Sequence, residues 1–162
     1  MTEVFSAETT IDRPVDAVWA RLIEWDTAAR WMSGVDALHA NGPTEMGTTL
    51  VFTTRGKERI WQIAALDPGR SITLRSVQGG VTADYVYTCA RHGEGTRVSL
   101  VAGCTMTGPV RLLSPMIRSA IRRADSGQLN AFAATFTPVD PASNSKSGHQ
   151  HHQSPRRIGC CL

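Results

Sequence analysis

Two tyrosines, two positions apart, are the side chains in this sequence best suited to chemistry. Tyr85 and Tyr87 lie in the run Val81–Ala90, whose composition favours a β-strand. Because successive strand side chains point to opposite faces, both phenols lie on one face and Asp84 lies on the other. Facing a cavity, the hydroxyls would orient a polar ligand group or polarise a carbonyl for an aldol-type ring closure. The alternative is that both tyrosines pack against neighbouring strands.

Other catalytic signatures are absent from the sequence. It has no H-E-x-x-H zinc motif, no G-x-S-x-G nucleophile motif, no P-loop and no G-x-G-x-x-G after a strand. His39 and His92 are predicted near strand ends or turns, as surface side chains. The four cysteines lack the spacing of a zinc site. We therefore expect neither a metal ion nor an organic cofactor.

The hydrophobic pattern predicts the elements that would position the tyrosines. A strand at residues 3–11 is followed by Pro14, which suits the first turn of a helix over about 14–24, and by a second short helix over about 27–32. Six further strands are separated by turns rich in Gly, Pro and Asn, so the pattern predicts an antiparallel meander. These strands are Val35–Ala40, Thr48–Thr54, Arg59–Leu66, Ser71–Val77, Val81–Ala90 and Arg97–Met106.

A helical period then replaces the strand pattern. Apolar residues recur at helical spacing from Val110 to about Phe136, which predicts one long helix that Pro115 kinks or restarts and Gly127 loosens. A curved sheet wrapped around a helix leaves a cavity between them. The predicted architecture therefore indicates a protein that holds a small apolar molecule.

Composition and charge narrow the partners. The chain has 162 residues, 41% apolar and 19% charged, and its net charge of +3 nearly vanishes without the last 23 residues, so we expect no nucleic acid. No apolar run reaches the length of a membrane span, and the first residues do not resemble a secretory signal. We expect a cytoplasmic protein without stable membrane insertion, with a homodimer left open. Residues 1–137 are predicted as one domain and 138–162 as a disordered tail.

The opening segment carries a resemblance to a known superfamily. Residues 11–19, IDRPVDAVW, are similar to the opening signature of the START-like (SRPBCC) superfamily, and within it to the polyketide cyclase/dehydrase and lipid-transport group. The turn around Trp31, the LDPGR turn at 66–70 and the closing helix resemble that group as well. The resemblance implies an α+β helix-grip fold: a seven-stranded antiparallel curved sheet wrapped around a long C-terminal helix, with two short helices after the first strand.

The resemblance also implies a cavity for a lipid, polyketide or other apolar ligand between the sheet and the long helix. On the strand faces, Trp61 shares a face with Arg59 and Ile63, while Arg59 and Arg75 would face inward if the register ran the other way. The candidate ligand-binding residues are Trp31, Phe52, Trp61, Ile63, Leu74, Tyr85, Tyr87, Met116, Ala120 and Ile121.

Three functions are compatible with the sequence. The first is binding of a small hydrophobic molecule. The second is a polyketide cyclase or dehydratase, without metal or organic cofactor, that uses Tyr85 or Tyr87 in the same cavity. The third is a protein-interaction module on the basic face of the closing helix, formed by Arg111, Arg118, Arg122 and Arg123.

Overall fold

The computed structural model of the chain describes residues 1–125 and 127–137. The predicted disordered tail, 138–162, lies outside the described residues. The strands are β1 (Thr2–Ile11), β2 (Ala37–Ala40), β3 (Thr49–Thr54), β4 (Lys57–Asp67), β5 (Ser71–Gln78), β6 (Val81–His92) and β7 (Gly95–Met106). The α-helices are α1 (Val15–Leu22), α2 (Ser114–Asp125) and α3 (Gln128–Ala134), and 3₁₀ helices span Trp25–Arg30 and Gly108–Leu113.

The seven strands form one curved antiparallel sheet in the order β1-β7-β6-β5-β4-β3-β2. Each strand from β2 to β7 pairs with the next one along the chain, and β7 also pairs with β1 on its other side. The predicted antiparallel meander and the seven strands are confirmed.

The junction between β1 and β7 is held by close backbone contact. Ile11 is paired with Thr96, whose hydroxyl is buried and donates to the carbonyl of Arg13 at 2.8 Å. The preceding residue is Gly95, where a Cβ atom would meet the carbonyl oxygen of Ile11 at 2.5 Å. A side chain does not fit at that distance, so glycine is required for the end of β1 to reach β7.

The first helix is shorter than predicted, and the second has the predicted length but begins two residues earlier. Pro14 precedes the first turn of α1 as its N-cap residue, and α1 ends at Leu22. Val18, Trp19 and Leu22 are buried, as their spacing predicts. The second predicted helix is a 3₁₀ helix over Trp25–Arg30.

The predicted C-terminal helical segment is confirmed, but it does not begin as an α-helix at Val110. The described chain forms a 3₁₀ helix over Gly108–Leu113, then α2, then α3, for which Gly127 is the N-cap residue. Pro115 is the second residue of α2, where its missing N–H costs no hydrogen bond. Of the two predicted effects of Pro115, a kink or a restart, the structure shows the restart.

The main core lies between the sheet and the helices. Phe132 of α3 is fully buried, and its ring lies 4.7 Å from the ring of Trp31. Ile63 and Leu74 supply the sheet side of this core and are almost completely buried. Within the described residues, no helix combines the length and apolarity that crossing a membrane requires.

We expect Leu74→Ala to lower the free energy of unfolding by about 3 kcal/mol, because it leaves a cavity in a packed core. Leu112→Ala is the matched control, since Leu112 is 85% exposed and its truncation should cost about 0.5 kcal/mol or less. Urea unfolding followed by circular dichroism measures both. Equal losses in the two variants would contradict the assignment of Leu74 to the core.

Candidate functional site

A cavity of about 690 Å³ lies between the concave face of the sheet and the C-terminal helices. Strands β3 to β6 form one wall, and Ile117 and Ile121 of α2 contribute to the other. Gln128 of α3 also lines it, and the segment from Met32 to Val35 completes the lining. The cavity is therefore bounded by the elements that the sequence predicted around it.

Strand alternation brings both tyrosines to this cavity. Tyr85 and Tyr87 line it together with Ala83, because residues two apart on β6 share a face. Asp84 lies on the opposite face, where its carboxylate forms two 2.7 Å hydrogen bonds with the guanidinium of Arg75. The hydrogen bonds and charge of Asp84 raise the pKa of Arg75. The alternative in which Arg75 faces inward is therefore wrong.

An aromatic wall forms one side of the cavity. The rings of Phe52 and Trp61 are stacked with centroids 4.0 Å apart, and the ring of Tyr85 lies 6.1 Å from that of Trp61. All three side chains line the cavity. Aromatic faces of this kind offer a planar apolar molecule a large contact area.

A buried hydrogen bond connects the sheet to α3. The side-chain amide of Gln128 donates to the phenolic oxygen of Tyr87 at 2.7 Å, and both residues are buried. Both also line the cavity. Sequence reasoning missed Gln128, although a signal existed: it is a polar residue four positions before Phe132, on the helix face that packs against the core.

The remaining predicted site residues are divided between wall, core and surface. Phe52, Trp61, Tyr85, Tyr87 and Ile121 line the cavity. Trp31, Ile63 and Leu74 are buried in the core instead and are not among the lining residues.

Two predicted residues of α2 do not reach the cavity at all. Met116 is 66% exposed and Ala120 is exposed, whereas Ile117 and Ile121 line the cavity. The prediction that Met116 and Ala120 face the cavity is therefore wrong. All four residues lie on α2, where Ile117 and Ile121 follow Met116 and Ala120 by one position each, about 100° around the helix, and α2 turns the isoleucine side toward the cavity.

Cations collect at one end of the cavity. Arg55, Lys57 and Arg59 line it, and we call these three residues the basic rim. Arg59 donates to the side-chain oxygen of Gln78 at 2.8 Å. No Asp or Glu is among the described residues that line the cavity. Of the three rim residues, only Arg59 was an inner-face candidate from the sequence, as an alternative alongside Arg75.

Metal-binding clusters and reactive thiols were the other two kinds of group considered among the described residues. No group of three or more His, Cys, Asp or Glu side chains there is placed to hold a metal ion. Burial raises the pKa of the Cys89 thiol to about 11, so this thiol stays protonated near neutral pH and is a poor nucleophile. The polar groups left for chemistry in the cavity are phenols, amides, hydroxyls and the basic rim.

The family model described as polyketide cyclase/dehydrase and lipid transport matches residues 2–137. The chain belongs to this family. No curated protein matches the sequence. The match covers every described residue except Met1, including the cavity and both groups of helices.

Solved structures share the helix-grip fold. The Zhui aromatase/cyclase from Streptomyces sp. R1128 aligns with a TM-score of 0.65 at 16% identity, over 81% of this chain and 91% of that one. Ara h 8.0201 aligns with a TM-score of 0.63 at 13% identity, over 81% and 95%. A protein from Thermus thermophilus aligns with a TM-score of 0.61 at 19% identity, over 80% and 93%. At these identities the likeness shows the fold alone.

The contact between Tyr87 and Gln128 can be measured by a double-mutant cycle. We expect Tyr87→Phe and Gln128→Leu to be coupled by about 1 kcal/mol in the free energy of unfolding, because either change alone leaves a buried polar group without this partner. Urea unfolding of the two single variants and the double variant gives the coupling energy. Strictly additive effects would show that the hydrogen bond contributes nothing to the fold.

Proposed function

We propose that this protein binds a small hydrophobic molecule in the cavity between the sheet and the C-terminal helices. One observation carries the proposal: a concave space of about 690 Å³ lies between the sheet and the C-terminal helices, beside a core of buried apolar side chains. Such a volume falls in the range of small-molecule sites. Membership of a family described by lipid transport and by cyclase chemistry supports an apolar ligand.

The wall chemistry supports a ligand with a planar or ring-bearing apolar body. Phe52 and Trp61 present a stacked pair, and Ile117 and Ile121 face the cavity from α2. Burial of apolar ligand surface would provide most of the affinity, at about 25 cal/mol per Å² before ordering costs. Polar groups on the cavity wall would orient the ligand more than they would hold it.

Filling the cavity tests the proposal. We expect the neutral apolar dye N-phenyl-1-naphthylamine to bind the full chain, with a fluorescence increase, and Ala83→Phe to weaken binding by about tenfold or more, since the new ring occupies ligand space. The control is Ala37→Phe, at an exposed position of β2. Thermal unfolding verifies that both variants fold. A dye that binds wild type and both variants alike would contradict binding in this cavity.

A second candidate is a cyclase or dehydratase acting on a poly-β-ketone in the same cavity. The observation that favours it is the placement of Tyr85 and Tyr87 side by side on the cavity wall, with Tyr87 hydrogen-bonded by Gln128. Phenols there would hydrogen-bond to ligand carbonyls and orient them for ring closure.

The two tyrosines distinguish catalysis from binding. If the protein is a cyclase, Tyr85→Phe or Tyr87→Phe should lower turnover of a synthetic poly-β-ketone thioester by about 100-fold, the size of a typical acid–base contribution. Binding of the neutral dye should change far less. Product analysis by liquid chromatography measures turnover. Unchanged turnover in both variants would remove the catalytic roles.

The third candidate, a protein-interaction module on the basic face of the C-terminal helical segment, stays a prediction. Arg122 donates to the carbonyl of Val4 at 3.3 Å, so at least one of the four arginines also ties α2 to the sheet.

A further inference from the structure

We propose that the bound molecule is amphipathic and carries an acidic group, which the basic rim holds at one end of the cavity. This inference rests on the proposed binding function and adds the chemical class of the ligand. The acidic group is a carboxylate in the simplest case, and a sulfate or phosphate would meet the same donors.

The hairpin between β3 and β4 places the three cations. Thr54 pairs with Lys57, which leaves Arg55 and Gly56 as the two turn residues. Arg59 and Lys57 lie two and four residues before Trp61 on β4, so the three side chains share the face that looks into the cavity. The cations of β4 therefore lie next to the aromatic wall on the same face of the strand.

The charge of the rim is not compensated within the cavity. Glu58 is adjacent in sequence, but it alternates to the opposite face of β4. Among the described residues, the ion pairs join arginines to acids elsewhere and involve none of the rim cations. Three like charges with no acid in the shared lining create a positive potential that favours an anion.

Arg59 is the member of the rim best prepared for recognition. It is half-buried, whereas Arg55 and Lys57 are exposed. Its hydrogen bond to Gln78 of β5 restrains the guanidinium group. A guanidinium group presents five N–H donors in a planar arrangement that suits carboxylate oxygens, and one of these bonds leaves donors for a ligand.

The backbone at Arg55 gives independent support. Its φ is +49°, and it is the only non-glycine residue with a positive φ among the described residues. The next residue, Gly56, has φ +73°. A two-residue hairpin with positive φ at both positions favours Asn, Asp or Gly, so arginine is a strained choice at the first position. Strain kept at a cavity rim fits a side chain retained for binding.

A matched pair of probes tests the acidic group. We expect 4-(1-pyrenyl)butanoate to bind about tenfold tighter than 4-(1-pyrenyl)butanamide at low salt, because only the acid forms charge-assisted hydrogen bonds. The two probes share the same apolar body. Fluorescence titration gives both dissociation constants, and added NaCl should weaken the acid and leave the amide nearly unchanged.

Two double variants locate the effect. Lys57→Gln/Arg59→Gln should remove the preference for the acid and keep the affinity for the amide. Arg70→Gln/Arg91→Gln removes the same charge at exposed positions outside the cavity lining, and it should keep the preference. Equal loss in both would mean that net charge alone acts, which overturns the inference. Circular dichroism verifies folding, and the salt titration of wild type needs no variant.

Arg55→Asn separates stability from binding. Asparagine tolerates the positive φ, so the variant should melt at a higher temperature than wild type while its affinity for the acid falls. A higher melting temperature with unchanged affinity would exclude Arg55 from the rim's role.

The outcomes also distinguish this inference from the proposed function. If wild type binds the acid and the amide equally, the acidic group is wrong and the hydrophobic site stands. If neither probe nor the neutral dye binds, the proposed function fails as well.

Discussion

The pairing of the first strand with the last determines where every helix lies. Because β1 and β7 are antiparallel, Ile11 at the end of β1 lies opposite the start of β7, and Thr2 lies opposite Cys104 near the end of β7. The chain therefore enters α1 at one end of the sheet and enters the C-terminal helices at the other. Without the close approach at Gly95, this arrangement would lose its anchor.

The C-terminal helices then have to run back across the sheet, and their two halves do different work. The distal half reaches the end where α1 starts: the guanidinium of Arg21 lies 5.3 Å from the ring of Phe136, and Arg13 donates to the carbonyl of Phe136. There Phe132 fills the interior against Trp31. The proximal half, α2, presents Ile117 and Ile121 to open space. The same crossing thus produces a packed core at one end and a cavity at the other.

Much of this could be predicted from the sequence because it depends on local repetition. Alternation along β6 placed Tyr85 and Tyr87 on one face, and turn residues marked each hairpin. The rotation of α2 about its axis could not be predicted, because its apolar residues form one broad stripe and packing decides which side of that stripe faces the cavity. The spacing of Gln128 from Phe132 places it on the core-facing side of α3, but its hydrogen bond could not be predicted, because Tyr87 lies 41 residues away.

The cavity-wall residues were harder to predict than the fold for a related reason. Whether a buried-face residue such as Leu74 packs in the core or lines the cavity depends on which helix covers it, and a strand pattern does not contain that information. The predicted residues of the strands therefore lie on the concave face of the sheet, but only some of them line the cavity.

The distribution of polar groups bears on the choice between binding and catalysis. The cavity is lined by two separate polar groups, the basic rim and the hydrogen-bonded pair of Tyr87 and Gln128. The aromatic side chains of Trp61 and Tyr85 line the same cavity. Strand spacing separates Arg59 from Trp61 by two residues along β4, about 7 Å at the rise of a strand. The acidic end of an amphipathic molecule would contact the basic rim, and its apolar body would contact the aromatic side chains beside the rim. Ring closure would require, in addition, carbonyl groups in its body that reach the phenols, so the position of carbonyls relative to the acidic end decides between a bound ligand and a substrate.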